Sequence, residues 1–201
     1  MAWNRDKSLR TPAAAAGLGR AVAMGLMAGG GLPVVKDIPG HGAATADSHF
    51  DLPVVPVPAE TLDAVDFAPF KVLNDLPMAM TAHVVYEAYG PLPATMSPRM
   101  IQVIRNDIGF DGLLMTDDIS MKALTGTKAE ITRDSLAAGC DVVLLCNATL
   151  ADRQEVAEAA GASASASGTS AALPSSGPGV GSAASLCRSL QTSKACRPRL
   201  S

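Results

Sequence analysis

Val35 to Pro53 reads VKDIPGHGAATADSHFDLP, and this stretch decides the architecture. It continues the apolar run Leu32-Pro33-Val34-Val35, breaks at Pro39-Gly40, and carries Lys36, His41, Asp47 and His49 within fourteen residues. Two of the chain's three histidines lie in it. A loop this polar after so apolar a strand has the character of an active-site loop at the carboxyl end of a parallel strand.

The same alternation repeats outward. Upstream, Ala13 to Val35 is apolar, but Arg20 interrupts it, Gly17, Gly19 and Gly25 dilute it, and Gly29-Gly30-Gly31 closes it. An amphipathic helix with a glycine C-cap is the preferred reading, and a secretory signal the alternative. No run of apolar residues is long enough to predict a membrane span. Downstream, Asp66–Asn74 is expected as a helix with Asp66 as N-cap, and Met78–Val85 as a strand. Ser97 with Pro98 predicts a helix start whose stripe is Met100, Ile101, Ile104 and Ile108. Gly112–Met115 reads as a third strand, Glu130–Ala138 as a helix, Asp141–Cys146 as a fourth strand and Ala151–Ala160 as a last helix. Strands that are continuous apolar runs, alternating with helices, predict an α/β fold with a parallel sheet buried on both faces. Four such pairs suit half of an eight-fold barrel or a small doubly wound sheet, and periodicity does not separate the two.

Composition narrows the partners. The net charge of −3, pI near 5.5 and 3% aromatic content offer neither a basic patch nor stacking platforms for nucleic acid. Cys140, Cys146, Cys187 and Cys196 show no C-x-x-C spacing, which argues against a zinc ribbon and fits a reducing compartment. Residues 161–201 hold no Asp or Glu and are rich in Ser, Ala, Gly and Pro, so a disordered tail is expected there.

Every expected strand ends in a polar group: Lys36 and the His41–His49 loop, then His83, then Thr116-Asp117-Asp118, then Asn147. In a parallel barrel these ends converge on one mouth. Asp47 and His49 are close enough for the carboxylate to orient the imidazole, whose titration near neutrality suits proton transfer. Asp117 suits a nucleophile or an electrostatic partner, and Lys36 offers three donors to hydroxyls. A carboxylate nucleophile beside a separate acid/base is the arrangement of retaining glycoside hydrolysis.

The segments KDIPGHGAATADSHFDLP, MTAHVVY, IGFDGLLMTDDISMKAL and AAGCDVVLLCN, in that order, resemble bacterial β-N-acetylhexosaminidases of glycoside hydrolase family 3. The resemblance implies a (β/α)8 barrel of the TIM-barrel family, of which residues 13–160 supply the second half, strands five to eight. Residues 1–12 and 161–201 lie outside it, which suggests a truncated or frame-shifted reading. It implies His49 as general acid/base assisted by Asp47, Asp117 as nucleophile, and Lys36 as a sugar contact. Asp37, where the family has a histidine, His41 and His83 are further expected sugar contacts. The implied reaction releases terminal β-linked N-acetylglucosamine through a covalent glycosyl-enzyme, in cytoplasmic muropeptide recycling, with no cofactor or metal. Association with a missing N-terminal half-barrel follows as an expected partnership, and impaired activity without it.

Plainer readings stand beside these. His83 suits a satisfied histidine packing the mouth, His41 a loop hydrogen bond, and Asp118 a turn cap. Cys140 and Cys146 read as inert flanks of a buried strand, and the methionines as core filler.

Overall fold

A computed structural model describes residues 11–41 and 51–166. The Asp47–His49 pair, most of residues 1–12 and nearly all of the expected tail therefore lie outside the described residues. Thr11 starts the first helix, α1 (Pro12–Ala28): its hydroxyl accepts the Ala14 N–H at 3.2 Å, and Pro12 occupies the first turn, where an N–H would be unpaired anyway. Ala16 and Ala23 are the buried face, small enough for α1 to lie close against Leu73, Leu76 and Val35. The helix ends at Gly29, as the glycine run predicts.

The strands that follow are β1 (Val34–Ile38), β2 (Val54–Val55), β3 (Met78–Thr81), β4 (Val85–Tyr86), β5 (Leu113–Asp118) and β6 (Val142–Leu144). Four of them form one parallel sheet in the order β1-β3-β5-β6, and β2 pairs with β4 in a small second sheet. Neighbours in the main sheet are neighbours in sequence, with no reversal. A doubly wound sheet needs a reversal at its switch point, whereas an uninterrupted sequence is what an arc of a barrel shows. Parallel crossovers are right-handed, so a sheet growing in one direction places its crossover helices on one face. These are α2 (Ala59–Ala64) with α3 (Ala68–Val72), then α4 (Pro98–Gln102), then α5 (Lys128–Ala138); α6 (Leu150–Ala166) follows β6.

Register shows how the two faces divide. Val35, Ala79 and Leu114 are level with one another and join the core beside Phe70, Ile101 and Ile104 of the helices. One step earlier, Val34, Met78 and Leu113 point the other way, as do Met80, Met115 and Val142 one step later. At the amino-terminal end of the sheet Arg105 acts as a staple. Its guanidinium donates to the Phe110 and Gly112 carbonyls at 3.1 and 2.7 Å and to Asp141 at 2.7 Å. Asp141 also accepts the Leu114 N–H at 2.8 Å.

Several expected boundaries move. The run Met78–Val85 is two strands, because after Thr81 the chain leaves the ladder: Ala82 N–H donates to Ile38 O, and Val84 O accepts from Ala94. Asp66 is not a helix cap; α3 starts after Phe67, and α2 precedes it. The Ser97 cap holds, with Ser97 Oγ accepting the Met100 N–H at 3.2 Å, but the helix widens into a π-helix over Val103–Asp107. The helix expected from Glu130 starts at Lys128, since Thr127 and Glu130 form a reciprocal capping box. Cys140 is buried as expected, but Cys146 is exposed.

Candidate active site

The chemistry-bearing residues gather at the carboxyl end of the main sheet. Between Val35 and Ile38, β1 spends three residue steps where β3 spends two. Between Met115 and Asp118, β5 does the same against β6. Such bulges bend a strand and re-aim its side chains, and they are infrequent between parallel strands. Here they contain Lys36–Asp37 and Thr116–Asp117. Lys36 and Asp37 are thus strand residues rather than loop residues, with Lys36 exposed and Asp37 half-buried.

Asp117 and Asp118 are adjacent but differently engaged. The Asp118 carboxylate accepts three bonds: from Ser120 N–H at 3.0 Å, Ser120 O–H at 2.7 Å and Cys146 N–H at 3.1 Å. It ties the β5 end to the turn that follows and to the end of β6. Burial pushes its pKa up, but the bonds from Ser120 and Cys146 outweigh that and hold it below the usual 3.8. Asp117 accepts one bond, on Oδ1 from the Asp118 N–H at 2.8 Å. Among the described residues its Oδ2 has no hydrogen-bond donor, and the group is half-buried.

His83 lies behind this pair and is only 1% exposed. Its Nε2 is 3.1 Å from the Asp118 carbonyl, which can only accept, so Nε2 carries the proton. Its Nδ1 is 2.8 Å from Thr95 Oγ1, which also contacts Thr81 Oγ1 at 2.9 Å and the Ala82 carbonyl at 3.1 Å. Both ring nitrogens are therefore engaged, and neither is open to a ligand. Burial lowers the His83 pKa from 6.5, against the raising effect of the Asp118 carbonyl and of Asp117, Asp118 and Asp37. The neutral imidazole is the resting form at neutral pH.

Asp37 shares this electrostatic neighbourhood. Burial raises its pKa above 3.8, Asp117 raises it further, and His41, Lys36 and His83 pull it back. Cys146, a thiol at the same rim, is raised by burial and by Asp118 and Asp117. His41 is half-buried where the loop leaves the sheet. That exit is held by the Tyr86 hydroxyl, which donates to the Gly40 carbonyl. Tyr86 is buried, packs edge-on against Phe67 at 6.0 Å, and is raised well above 10 by burial and then by Asp66 and Asp37. Gly40 has φ 148°, and a Cβ there would meet Asp66 at 3.0 Å, so the turn out of β1 requires glycine.

The structure thus brings Lys36, Asp37, His41, Asp117 and Asp118 to one rim, with His83 beneath. Asp47 and His49 lie outside the described residues. Three contributors escape a reading of the sequence: Tyr86 as loop anchor, the Thr81–Thr95 pair behind His83, and the two bulges. Only the MTAH…Y pattern around Thr81, His83 and Tyr86 hints at any of them. Among the described residues no group of three or more His, Cys, Asp or Glu side chains is placed to hold a metal ion.

Comparison with known proteins agrees with this geometry. A Beta-hexosaminidase of Alkalilimnicola ehrlichii is 41% identical over 141 residues, covering 68% of this chain and 40% of that protein. One from Neisseria gonorrhoeae is 41% identical over 143 residues, covering 69% and 40%. Among solved structures, a glycoside hydrolase family 3 beta-N-acetylglucosaminidase from Paenibacillus superposes with a TM-score of 0.74 at 29% identity, over 81% of this chain and 33% of that one. NagZ from Neisseria gonorrhoeae, in complex with N-trifluoroacetyl-D-glucosamine, superposes with a TM-score of 0.65 at 39% identity, over 74% and 42%. The chain therefore spans about 40% of the length of the curated relatives it matches. The family model described as "Glycosyl hydrolase family 3 N terminal domain" matches residues 7–170, somewhat beyond both ends of the expected 13–160 body. With that match over most of its length, and with a parallel sheet that presents Lys36, Asp117 and Asp118 at its carboxyl end, the chain belongs to glycosyl hydrolase family 3.

Proposed function

We propose that the chain carries the nucleophile side of a retaining glycoside hydrolase that releases terminal β-linked N-acetylglucosamine. The observation that supports this best is the unequal engagement of the aspartate pair. Asp118 is occupied by three donors, while among the described residues Asp117 accepts one bond, on Oδ1. Asp117 Oδ2 attacks the anomeric carbon as the glycosidic C–O bond breaks, and His49, assisted by Asp47, protonates the leaving oxygen. In the second step His49 takes a proton from water, whose oxygen displaces Asp117 from the glycosyl ester and regenerates both groups. Lys36, Asp37 and His41 face the sugar hydroxyls, while His83 braces the strand end from behind. The relatives' names favour this substrate class, and muropeptide recycling in the cytoplasm is the role we assign to it.

We further propose that the chain corresponds to strands five to eight of the barrel. Its pocket is then incomplete by itself, and its activity alone impaired. A non-catalytic half-barrel acting only by association is the second reading, favoured by the outer edges of β1 and β6 in the main sheet, which pair with no strand among the described residues. The test is release of a chromogenic leaving group from a β-N-acetylglucosaminide by the full chain, with and without the complementary half. Asp117→Ala and His49→Ala are run beside it. Turnover that both substitutions abolish supports the enzyme reading, and turnover that survives Asp117→Ala refutes the assigned nucleophile.

A further inference from the structure

We infer that Thr95 and His83 are positioning residues of the reaction proposed above: the Thr95 hydroxyl fixes the His83 proton on Nε2, and that N–H holds the Asp118 carbonyl so that Asp117 is presented at the rim. The inference rests on the reading of Asp117 as nucleophile and deepens it by naming what sets the carboxylate in place.

Asp117 sits where ladder pairing is sparse. The pairing of β3 with β5 ends at Met80 and Met115. On the other side, β5 pairs with β6 at Met115 and at Asp118, and Thr116–Asp117 is the bulge between. Bulged residues fall out of the ladder, so their direction depends on what grips the chain at each end. Before Asp117 the grip is the Thr116 hydroxyl, which accepts the Leu144 N–H at 2.9 Å. After it the grip is Asp118. Its carboxylate is held by Ser120 and Cys146, and its carbonyl accepts from the Met121 N–H at 3.1 Å and from His83 Nε2 at 3.1 Å. Ser120 and Met121 belong to the turn itself and Cys146 to the β6 side. Among these contacts only His83 ties the turn back to the β3 side.

The direction of the chain behind His83 follows from counting protons. Thr81 and Thr95 are fully buried and His83 nearly so. Because Nε2 bears the ring proton, Nδ1 of the neutral imidazole is an acceptor that needs a donor. The Thr95 hydroxyl lies 2.8 Å away and has one proton, for which the Ala82 carbonyl at 3.1 Å competes. Nδ1 is the nearer, and the carbonyl takes at most a longer share of the same proton. Given wholly to Ala82, the proton would leave a buried ring nitrogen bare or draw a second proton onto the ring. With its proton on Nδ1, Thr95 accepts from Thr81 Oγ1 at 2.9 Å. The bonds therefore run one way, from Thr81 to Thr95 to His83 to the Asp118 carbonyl. Asp37 on β1, with Asp117 and Asp118 on β5, favours the charged ring. An imidazolium there would pair with the Asp117 carboxylate and blunt its attack. The Thr95 proton opposes that charge by occupying Nδ1.

The test uses the full 201-residue chain, isotopically labelled for nuclear magnetic resonance. His83 should show the Nε2–H tautomer at neutral pH, its signals assigned by their loss in His83→Gln. Hydrogen exchange of the Asp118 amide, whose N–H donates to Asp117 Oδ1, reports how firmly the nucleophile is placed. Thr95→Val keeps the side-chain shape and removes the proton. It should mix the two tautomers and speed Asp118 exchange by about tenfold, and Thr95→Ser should restore both. With the complementary half present, kcat on the β-N-acetylglucosaminide should fall by about 10- to 100-fold in Thr95→Val at unchanged KM, and recover in Thr95→Ser. An Nδ1–H tautomer in the wild type, or Asp118 exchange or kcat indifferent to Thr95→Val, overturns the inference. Should Thr95→Val fail to fold, His83→Gln decides, since it keeps a donor for the Asp118 carbonyl. Exchange at the wild-type rate then supports the clamp, and faster exchange overturns it. A wild type without turnover, in which Thr95→Val still speeds Asp118 exchange, sinks the nucleophile reading and keeps the chain that places Asp117.

Discussion

Replacing each member of the Asp117–Asp118 pair by alanine should have opposite consequences for stability and chemistry. Asp118→Ala removes an acceptor of three hydrogen bonds, two from Ser120 and one from Cys146, and so unties the end of β5 from the end of β6. At about 0.5–1.5 kcal/mol for each bond, and with water replacing part of the loss at this half-exposed group, the cost is about 2 kcal/mol. Asp117→Ala removes one bond, to the next residue, and should cost about 0.5 kcal/mol. In urea unfolding, with a slope of about 2 kcal/mol/M, the midpoint should fall by about 1 M for Asp118→Ala and by about 0.3 M for Asp117→Ala. The acid limb gives a second readout. Asp118 titrates below 3.8 in the folded chain, so its contribution is fully present above that pH and is lost as pH falls through the folded value. Asp118→Ala should therefore reduce the loss of stability on acidification. Equal midpoint shifts for the two variants would refute the division of roles on which the choice of nucleophile rests.

Tyr86→Phe strands the buried Gly40 carbonyl at the loop exit and should lower stability by about 1–2 kcal/mol, read as a urea midpoint. Asp37 has a raised folded pKa, so the wild type binds more protons when folded and loses stability as pH rises from 3.8 through that value. Asp37→Asn removes the loss, and its melting temperature relative to wild type should be higher at neutral pH than near pH 3.8; a constant difference would count against it. His83 has a lowered folded pKa, so wild-type stability should fall as pH drops below 6.5, and His83→Gln, which keeps a donor for the Asp118 carbonyl, should flatten that slope. An unchanged slope between about pH 5 and pH 7 would show that His83 is not the group responsible.

Much of the architecture is legible in local pattern. Thr11-Pro12, Ser97-Pro98 and the Thr127–Glu130 box start helices where their side chains can accept backbone N–H groups, a property of short segments. Gly29 and Gly139 end them for the same kind of reason. The apolar runs at Leu113–Met115 and Val142–Leu144 form parallel strands as expected, but burial on both faces does not hold, since Leu113 and Val142 are each 40% exposed on the face away from the helices. The Met78–Val85 run misleads because burial continues past Thr81 while ladder pairing does not, and hydropathy reports only burial.

By itself the sequence determined the alternation of strand and helix and the polar residue at each strand end. These follow from interactions within a few residues or from the partition of side chains between water and core. Tertiary structure alone decided that strand order runs without reversal and that bulges re-aim Lys36–Asp37 and Thr116–Asp117. It alone decided that Asp118 is consumed by Ser120 and Cys146 while Asp117, among the described residues, accepts a single bond. Each of these depends on which backbone group of a distant strand lies opposite. That pairing is set by register and closure of the whole sheet, and no local pattern of residues encodes it.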